Sequence, residues 1–382
     1  MSVAAGWRIG MGAIGCLLVC TGAAAAADLL VKTEDSQFLD GLRKRALFQV
    51  AQSHCQRQLA TAGLSRQQRT QWTIKWIRTH AQHALSLPAD TRPAQWQLAR
   101  KVAADYLQRY PRYPQRVLLQ VQDALTLLAR GELLRQEAAV AIKPAATLVK
   151  SREALRESVR ILEQLDSTLN QMIPVAKDEI GNDDSLPRDR LMSLQYHVQF
   201  QLARAFRNQA LCYPDGSNDR ISALQNALDQ LAKPLRQLSQ EDSLVGPIQR
   251  DQAICLRWLG KLEEAGRIAT RLYQQDQDPQ LRLQARAELI WIELAAGHLP
   301  QAFELVKQPP RIANVSSPEL DLARLEASLV RWQQARQMNQ TKEAQQWQQG
   351  AVAMVRFIEM EHGAYWGRRA ETRLLKVAGR DT

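Results

Sequence analysis

The sequence predicts an all-α fold: an α-solenoid of about seven stacked antiparallel helical hairpins followed by one terminal helix. The phrase G-x-L-x-x-A occupies residues 260–265 and recurs at residues 297–302, 37 residues later, each time between two apolar segments with helical spacing. No segment shows the period of a credible strand. A fixed period of this length is typical of repeats that bury their apolar faces only by stacking.

The repeated phrase carries a family resemblance. Its glycine marks a turn, and the leucine and alanine that follow fall inside the second helix of a hairpin. A weaker third copy keeps the spacing at Asn339, Thr341 and Ala344. This pattern resembles the tetratricopeptide repeat (TPR) family, although Ile290 and Glu293 stand where that family most often has Gly and Tyr. The resemblance implies a right-handed superhelix whose usual role is protein–protein interaction, with the first helices of the hairpins lining a concave groove.

Residues 1–27 are predicted to be a secretory signal peptide. They contain one charge, Arg8, an apolar run over residues 9–20 and an A-x-A cleavage site just before Asp28. An uncleaved anchor helix over residues 9–27 and lipidation of Cys16 are the alternatives. No later segment is apolar for long enough to cross a bilayer. The sequence therefore predicts an exported protein of the periplasm or cell envelope, and the alanine-rich signal is typical of bacteria.

Residues 28–382 are predicted to form one TPR-like repeat domain, and its first half has clear helix boundaries. The first hairpin is expected to turn at residues 45–47, before a second helix with Phe48 and Ala51 at F-x-x-A spacing. Ser65 and Gln68 have the spacing of a capping box, which opens the next helix. Prolines at 88 and 93 bracket the turn before its partner helix at residues 96–110. The next pair covers residues 116–141 and 147–172, and Pro144 is expected to end its first helix.

The longest break between helices covers residues 173–187, with two prolines, one glycine and an acidic run from Asp178 to Asp184. We interpret this segment as a possible hinge between two halves of the array. The following helices are expected at residues 190–212 and 221–238, and Pro234 is expected to kink or restart the second.

After the repeated phrase, Ser316 and Glu319 are predicted to form a capping box around Pro318, which favours a first helical turn. The following helix carries an apolar face, and Gly363 is expected to break the chain after its partner. The last predicted helix, residues 364–377, has no partner helix. It could cap the array, or the chain could belong to a longer array.

The chain has a formal charge of +11, or +10 once Arg8 is removed with the signal. Basic residues concentrate near both ends, which suits anionic lipid, an acidic envelope polymer or an acidic protein; we expect most of them simply to face solvent. The predicted export argues against nucleic acid. The residues concerned are Arg43, Lys44, Arg45, Arg66, Arg69, Arg368, Arg369, Arg373, Lys376 and Arg380.

No catalytic motif was found, so the sequence predicts neither an enzyme nor a cofactor, and it assigns no groove residues. His80 and His83 share a helix face with His54 one hairpin earlier, which is a weak indication of a metal site, so no metal is expected. Asp215, Ser217 and Asp219 resemble the start of a calcium loop but lack its Gly and Glu. The eight tryptophans after residue 27 are expected to serve mainly as core, and a carbohydrate or base platform is the alternative.

Three cysteines, Cys55, Cys212 and Cys255, remain after the predicted cleavage. Cys212 and Cys255 lie about one repeat apart, so a disulfide between them is conceivable, but we expect free thiols. The function that these observations favour is an exported scaffold or adaptor that binds another protein. The helical superstructure of a cell-wall enzyme and a basic polymer-binding array are the alternatives.

Overall fold

The computed structural model describes residues 34–139, 144–178 and 184–379. The predicted signal peptide, residues 1–27, and Arg380 lie outside these described residues. Within them, the chain forms fifteen α-helices and one short 3-10 helix at Ile173–Val175. None of these helices combines the length and apolar character that a membrane span requires.

The α-helices are numbered in chain order. In the first half they are α1 (Glu34–Lys44), α2 (Phe48–Ala60), α3 (Arg66–Ser86), α4 (Arg92–Arg109), α5 (Arg116–Ala138), α6 (Pro144–Met172) and α7 (Arg188–Ala210). In the second half they are α8 (Asn218–Leu235), α9 (Val245–Trp258), α10 (Leu262–Gln275), α11 (Pro279–Ala296), α12 (Leu299–Lys307), α13 (Pro318–Gln337), α14 (Thr341–His362) and α15 (Ala364–Ala378).

Consecutive helices pack in pairs, from α1 with α2 to α13 with α14, which makes seven hairpins with α15 as an additional helix. The first helices of neighbouring hairpins also touch, as in the contacts of α9 with α11 and of α11 with α13. Each hairpin therefore buries its apolar side against the next one. This arrangement confirms the predicted all-α solenoid, including the number of hairpins.

The turns inside the hairpins explain the repeated phrase. Gly260 and Gly297 both have a φ of 78°, in the left-handed region that glycine adopts without a steric penalty. The alanines that follow, Ala265 and Ala302, are fully buried. The third copy behaves in the same way, because Asn339 takes a φ of 57°. The phrase thus encodes a left-handed turn followed by a small residue at a close helix crossing.

The two predicted capping boxes have different outcomes. Ser65 caps α3 as predicted: its hydroxyl accepts from the Gln68 amide, and the Gln68 side chain accepts from the Ser65 amide. At α13 the prediction was wrong by one residue, because the cap is Ser317 and not Ser316. Pro318 is the first helical residue, so the capping position falls on the residue directly before it. The Ser316 hydroxyl instead donates to Glu361 of α14 at 3.1 Å.

Two prolines also differ from expectation. Pro144 does not end α5 but is the first residue of α6, a position that needs no backbone N–H. Pro234 lies in the last turn of α8, which ends one residue later without a restart. The helices α6 and α7, on either side of the predicted hinge at residues 173–187, pack against each other. The hinge itself stays a prediction.

The terminal helix α15 has partners that the sequence did not reveal. It packs on α14 and α13 and also touches α3, far back in the chain. Tyr365 and Trp366 join one apolar cluster with Leu85 of α3 and Leu133 of α5. Arg368 donates to the carbonyl oxygens of Ser86 and Leu87, at the C-terminal end of α3, at 3.1 and 3.2 Å. The prediction that this helix has no partner was therefore wrong, because the array curves until its last helix meets its second hairpin.

Candidate binding chamber

The curved array borders a partly open cavity with a volume of about 600 Å³, which we call the chamber. Its wall is built by α5, α7, α9, α11 and α13, the first helices of five consecutive hairpins, and α15 adds a sixth side. This volume falls in the range of pockets that bind ligands. The predicted groove lined by first helices therefore exists, but the terminal helix closes one side of it.

Charged and aromatic side chains dominate the wall of the chamber. Its arginines are Arg135, Arg204, Arg207, Arg250, Arg257, Arg369 and Arg373. Its carboxylates are Glu132, Asp242, Asp278, Glu288, Glu319 and Glu326. Its aromatic residues are Tyr196, Phe200, Trp258, Trp291, Tyr365 and Trp366. Such a wall differs from the apolar interior of the hairpins and can recognise charged and flat groups.

One part of the wall stacks arginine on tryptophan. The Arg257 guanidinium lies 4.7 Å from the ring centroid of Trp258 and 5.6 Å from that of Trp291. The same guanidinium donates to both carboxylate oxygens of Glu288, which is almost fully buried. Arg257 is thus held in place by its neighbours, and the two half-buried tryptophans line the chamber. Both tryptophans also pack against apolar clusters of the core, as expected, so they line the chamber in addition to that role.

Another part of the wall concentrates positive charge around Glu132. This carboxylate lies 3.7 Å from the guanidinium of Arg204. Burial alone would raise the pKa of Glu132, but Arg204, Arg135, Arg207 and Arg369 together hold its pKa below the usual value. Glu132 is therefore ionised at neutral pH. Four guanidinium groups act on this single carboxylate.

His197 also lines the chamber, on the same helix as Arg204. Burial and the positive charge of Arg204 lower the pKa of His197 to about 3. The imidazole is consequently neutral at physiological pH. It adds polarity to the wall but no charge.

The histidines that the sequence marked as a weak metal site form an amide network instead. The Nδ1 atoms of His80 and His83 each lie 3.1 Å from the side-chain amide nitrogen of Gln52, and His80 Nδ1 lies 2.7 Å from Gln95 Oε1. His54 packs edge-on against aromatic rings elsewhere. Within the described residues, no group of three or more His, Cys, Asp or Glu side chains is placed to hold a metal ion.

The acidic segments likewise have structural partners. Ser217 caps α8, and Asp215 forms an ion pair with Arg220, so the calcium-like sequence serves as a helix start. Asp184 accepts a hydrogen bond from Tyr113 at 3.2 Å. Asp178 lies 3.7 Å from Arg188, and residues 179–183 of the acidic run lie outside the described residues.

The three cysteines outside residues 1–27, Cys55, Cys212 and Cys255, are buried free thiols, as predicted. Burial raises the pKa of Cys55 to about 11 and that of Cys255 to about 12. The Cys212 sulfur lies 3.3 Å from the Ser151 hydroxyl. These thiols stay protonated at neutral pH and are not prepared as nucleophiles.

The basic residues near the two ends divide between solvent and the fold. Lys44, Arg45, Arg66, Arg373 and Lys376 are exposed. Arg43 is buried, however, and pairs with Asp40. At the other end, Arg368 binds backbone carbonyls of α3, Arg369 lies over the Trp366 ring, and Arg373 pairs with Glu326 at 2.7 Å. The C-terminal basic cluster therefore belongs to the closure of the array and to the chamber.

Comparison with known proteins adds the following. No protein-family model and no curated protein matches the chain. A solved structure of TPR-like repeats from a protein named as a kinesin light chain of Podosopora anserina is similar at a TM-score of 0.39 and 17% identity, covering 63% of this chain and 92% of that one. A single-substitution variant of the same protein gives 0.40 and 17%, covering 64% and 94%. The description of this chain as a TPR-like array of hairpins therefore rests on its own helix pairs and not on these two structures.

Proposed function

We propose that this protein is an exported, non-catalytic scaffold that binds a segment of a partner protein in the chamber. The observation that carries the proposal is that the first helices of four consecutive hairpins, α5, α7, α9 and α11, turn arginine or tryptophan side chains toward one accessible space, which α13 borders as well. Curved arrays of helical hairpins offer such concave surfaces for binding.

The composition of the wall indicates what kind of segment it fits. Arginine and tryptophan are the residues that most often dominate binding energy at protein interfaces. Arg257 is already oriented by Glu288 and by two tryptophan rings, so little conformational entropy is lost when a ligand contacts it. We therefore expect a short acidic segment with an aromatic or apolar side chain next to its carboxylate.

Photo-crosslinking tests the site and names the partner. A photoreactive residue at Ser243, which is exposed and lines the chamber, should crosslink a protein partner in cells of the native host. The matched control is the same residue at Asn226, which is exposed on α8, the outer helix of an adjacent hairpin. Mass spectrometry then identifies the crosslinked segment. Equal crosslinking from both positions, or crosslinking of glycan alone, would refute partner binding in the chamber.

Export rests on the sequence of residues 1–27 and has a separate test. If the signal peptide is cleaved after Ala27, the protein isolated from its native host begins at Asp28. Intact mass spectrometry of envelope and cytoplasmic fractions distinguishes the two forms. A full-length chain that keeps Met1 and occurs only in the cytoplasm would contradict export and leave the chamber proposal unaffected.

A further inference from the structure

One side of the chamber carries a group of five arginines, Arg135, Arg204, Arg207, Arg250 and Arg369. These arginines outnumber the carboxylates that pair with them. Arg204 has Glu132 at 3.7 Å. Arg207 and Arg250 share Asp251, at 2.8 and 3.3 Å. These contacts satisfy the two carboxylates available in this region. Two further arginines of the wall, on α5 and α15, remain to be accounted for.

Those two are Arg135 and Arg369. Among the described residues, neither forms an ion pair with a carboxylate. Arg369 lies over the rings of Trp366 and Tyr365, with 4.4 Å to the Trp366 centroid. Arg135 keeps its Nε atom away from solvent with no hydrogen-bond partner. Burial and the nearby charge of Arg369 lower the pKa of Arg135, although Glu132 works in the opposite direction.

Without a bound anion, this arrangement is unfavourable. Guanidinium groups do not lose their proton at any pH at which the protein is folded, so the excess charge cannot be removed by titration. Like charges that are partly removed from water repel each other more strongly than on an open surface. Glu132 offsets part of this repulsion, and an anion bound between the arginines would offset the rest while accepting hydrogen bonds from their N–H groups.

We propose that Arg135, Arg204 and Arg369 form a binding site for a phosphate group in the chamber. The three guanidinium groups come from three helices, α5, α7 and α15, so they can approach a ligand from different directions. A phosphate dianion has several acceptor oxygens and more charge than one carboxylate, and guanidinium groups bind it through paired N–H bonds. The volume of about 600 Å³ leaves room for a larger chemical group attached to the phosphate, next to the aromatic residues of the wall.

This site goes beyond partner binding, because the phosphate could belong to a free small molecule or to inorganic phosphate. Its chemistry is the same in each case. Inorganic phosphate is therefore the first probe. Glucose 6-phosphate and AMP are then added separately to show whether the group attached to the phosphate contributes to the affinity. The partner-binding proposal does not depend on the result.

The test is a thermal-unfolding and calorimetric titration of the full chain with phosphate, against sodium chloride and acetate at equal ionic strength. We expect phosphate to raise the melting temperature more than either control salt does. Arg135→Ala and Arg369→Gln should each weaken phosphate binding by about tenfold or more, because each removes a charge-assisted pair of hydrogen bonds. Arg356→Ala, at an exposed position on α14, is the matched control and should change nothing.

The melting temperature without phosphate provides a second readout. If the arginines repel each other in the empty chamber, Arg135→Ala melts at the same temperature as the wild type or higher, whereas a purely structural arginine would make it melt lower. Arg135→Lys keeps the positive charge but lacks the planar guanidinium that donates paired hydrogen bonds, so it should show intermediate phosphate binding. Equal responses to phosphate, acetate and chloride, or unchanged phosphate binding in the Arg135 and Arg369 variants, would overturn the proposal. The crosslinking result from Ser243 would still stand in that case.

Discussion

Arg207 of α7 and Asp251 of α9 form an ion pair, with 2.8 Å between a guanidinium nitrogen and a carboxylate oxygen. Asp251 is only 1% exposed, and Arg250 approaches its other oxygen at 3.3 Å. Burial alone would raise the pKa of Asp251, but Arg207 and Arg250 hold it below the usual value. The pair joins the first helices of two consecutive hairpins directly behind the chamber wall. Charges buried in this way fix the position of one hairpin relative to the next.

Removing the Asp251 carboxylate should strongly destabilise the fold. Asp251→Ala leaves two largely buried guanidinium groups, those of Arg207 and Arg250, without their shared carboxylate, so we expect a loss of about 3–5 kcal/mol in the free energy of unfolding. Urea denaturation followed by circular dichroism measures it. Glu263→Ala, at an exposed position on α10, is the control and should stay within about 0.5 kcal/mol of the wild type. Similar losses in both variants would show that the ion pair contributes nothing specific.

Two glycine-to-alanine substitutions, one in a turn and one inside a helix, should change the free energy of unfolding in opposite directions. Gly297→Ala forces a side chain into a φ of 78° and should cost about 1–2 kcal/mol. Gly266→Ala lies inside α10, where no atom comes within 4 Å of the new methyl group, and should gain about 0.5–1 kcal/mol. Chemical denaturation of both variants checks the difference. If Gly297→Ala is as stable as the wild type or more stable, the left-handed turn is not required.

The fold was predictable because its signals are local. A left-handed glycine, a capping box and a proline in a first turn each act within a few residues, so the sequence places hairpins without knowledge of the superhelix. Ser317 shows the limit of that reasoning, since two adjacent serines compete for one cap and only the proline after them decides. The helix bounds therefore followed from sequence to within a few residues.

The closure of the predicted groove by the terminal helix was not predictable, because it depends on where the array curves back. Arg368 meets the backbone of Leu87 across a sequence separation of 281 residues, and no periodicity in the chain reports such a contact. From the sequence, Arg369 was one member of a C-terminal basic cluster, and Arg135 was not singled out at all. Only the three-dimensional path of the hairpins brings them to the same wall.

Asp123 should make stability depend on pH in an unusual direction. It lies on α5, 2.8 Å from Arg100 of α4. Burial raises the pKa of Asp123 to about 6; Arg100 acts against this shift, and Glu157 adds to it. The unfolded chain should titrate near about 3.9, so the folded state binds this proton more tightly. The stability that Asp123 contributes is present in full below about pH 4 and is lost as the pH rises through 6.

Asp123→Asn tests this, because the amide resembles the protonated acid at every pH. Relative to the wild type, the variant should gain stability as the pH rises from 4 to 7, by on the order of 2 kcal/mol. Urea unfolding at several pH values gives the difference. Asp229→Asn, at an exposed position on α8, is the control and should show no such trend. A difference between Asp123→Asn and wild type that does not change with pH would contradict the raised pKa.

Closure of the array by α15 should depend on Arg368. Its guanidinium donates to the carbonyls of Ser86 and Leu87, which have no partner within α3 because they end the helix. The positive charge also suits the negative end of the helix dipole. Arg368→Ala should therefore loosen α15, and its backbone amides should exchange with deuterium about tenfold faster, while those of α8 stay unchanged.

Hydrogen exchange measured by mass spectrometry localises this effect, with Lys376→Ala as the control on the exposed side of the same helix. Trp366 and Ala370 of α15 remain packed on the apolar cluster in both variants, so the helix should stay folded while it separates more often from α3. A chamber that opens more often should also crosslink its partner faster from Ser243. If Arg368→Ala leaves the exchange of α15 unchanged, the apolar contacts of Tyr365 and Trp366 close the array alone, and access to the chamber does not depend on this arginine.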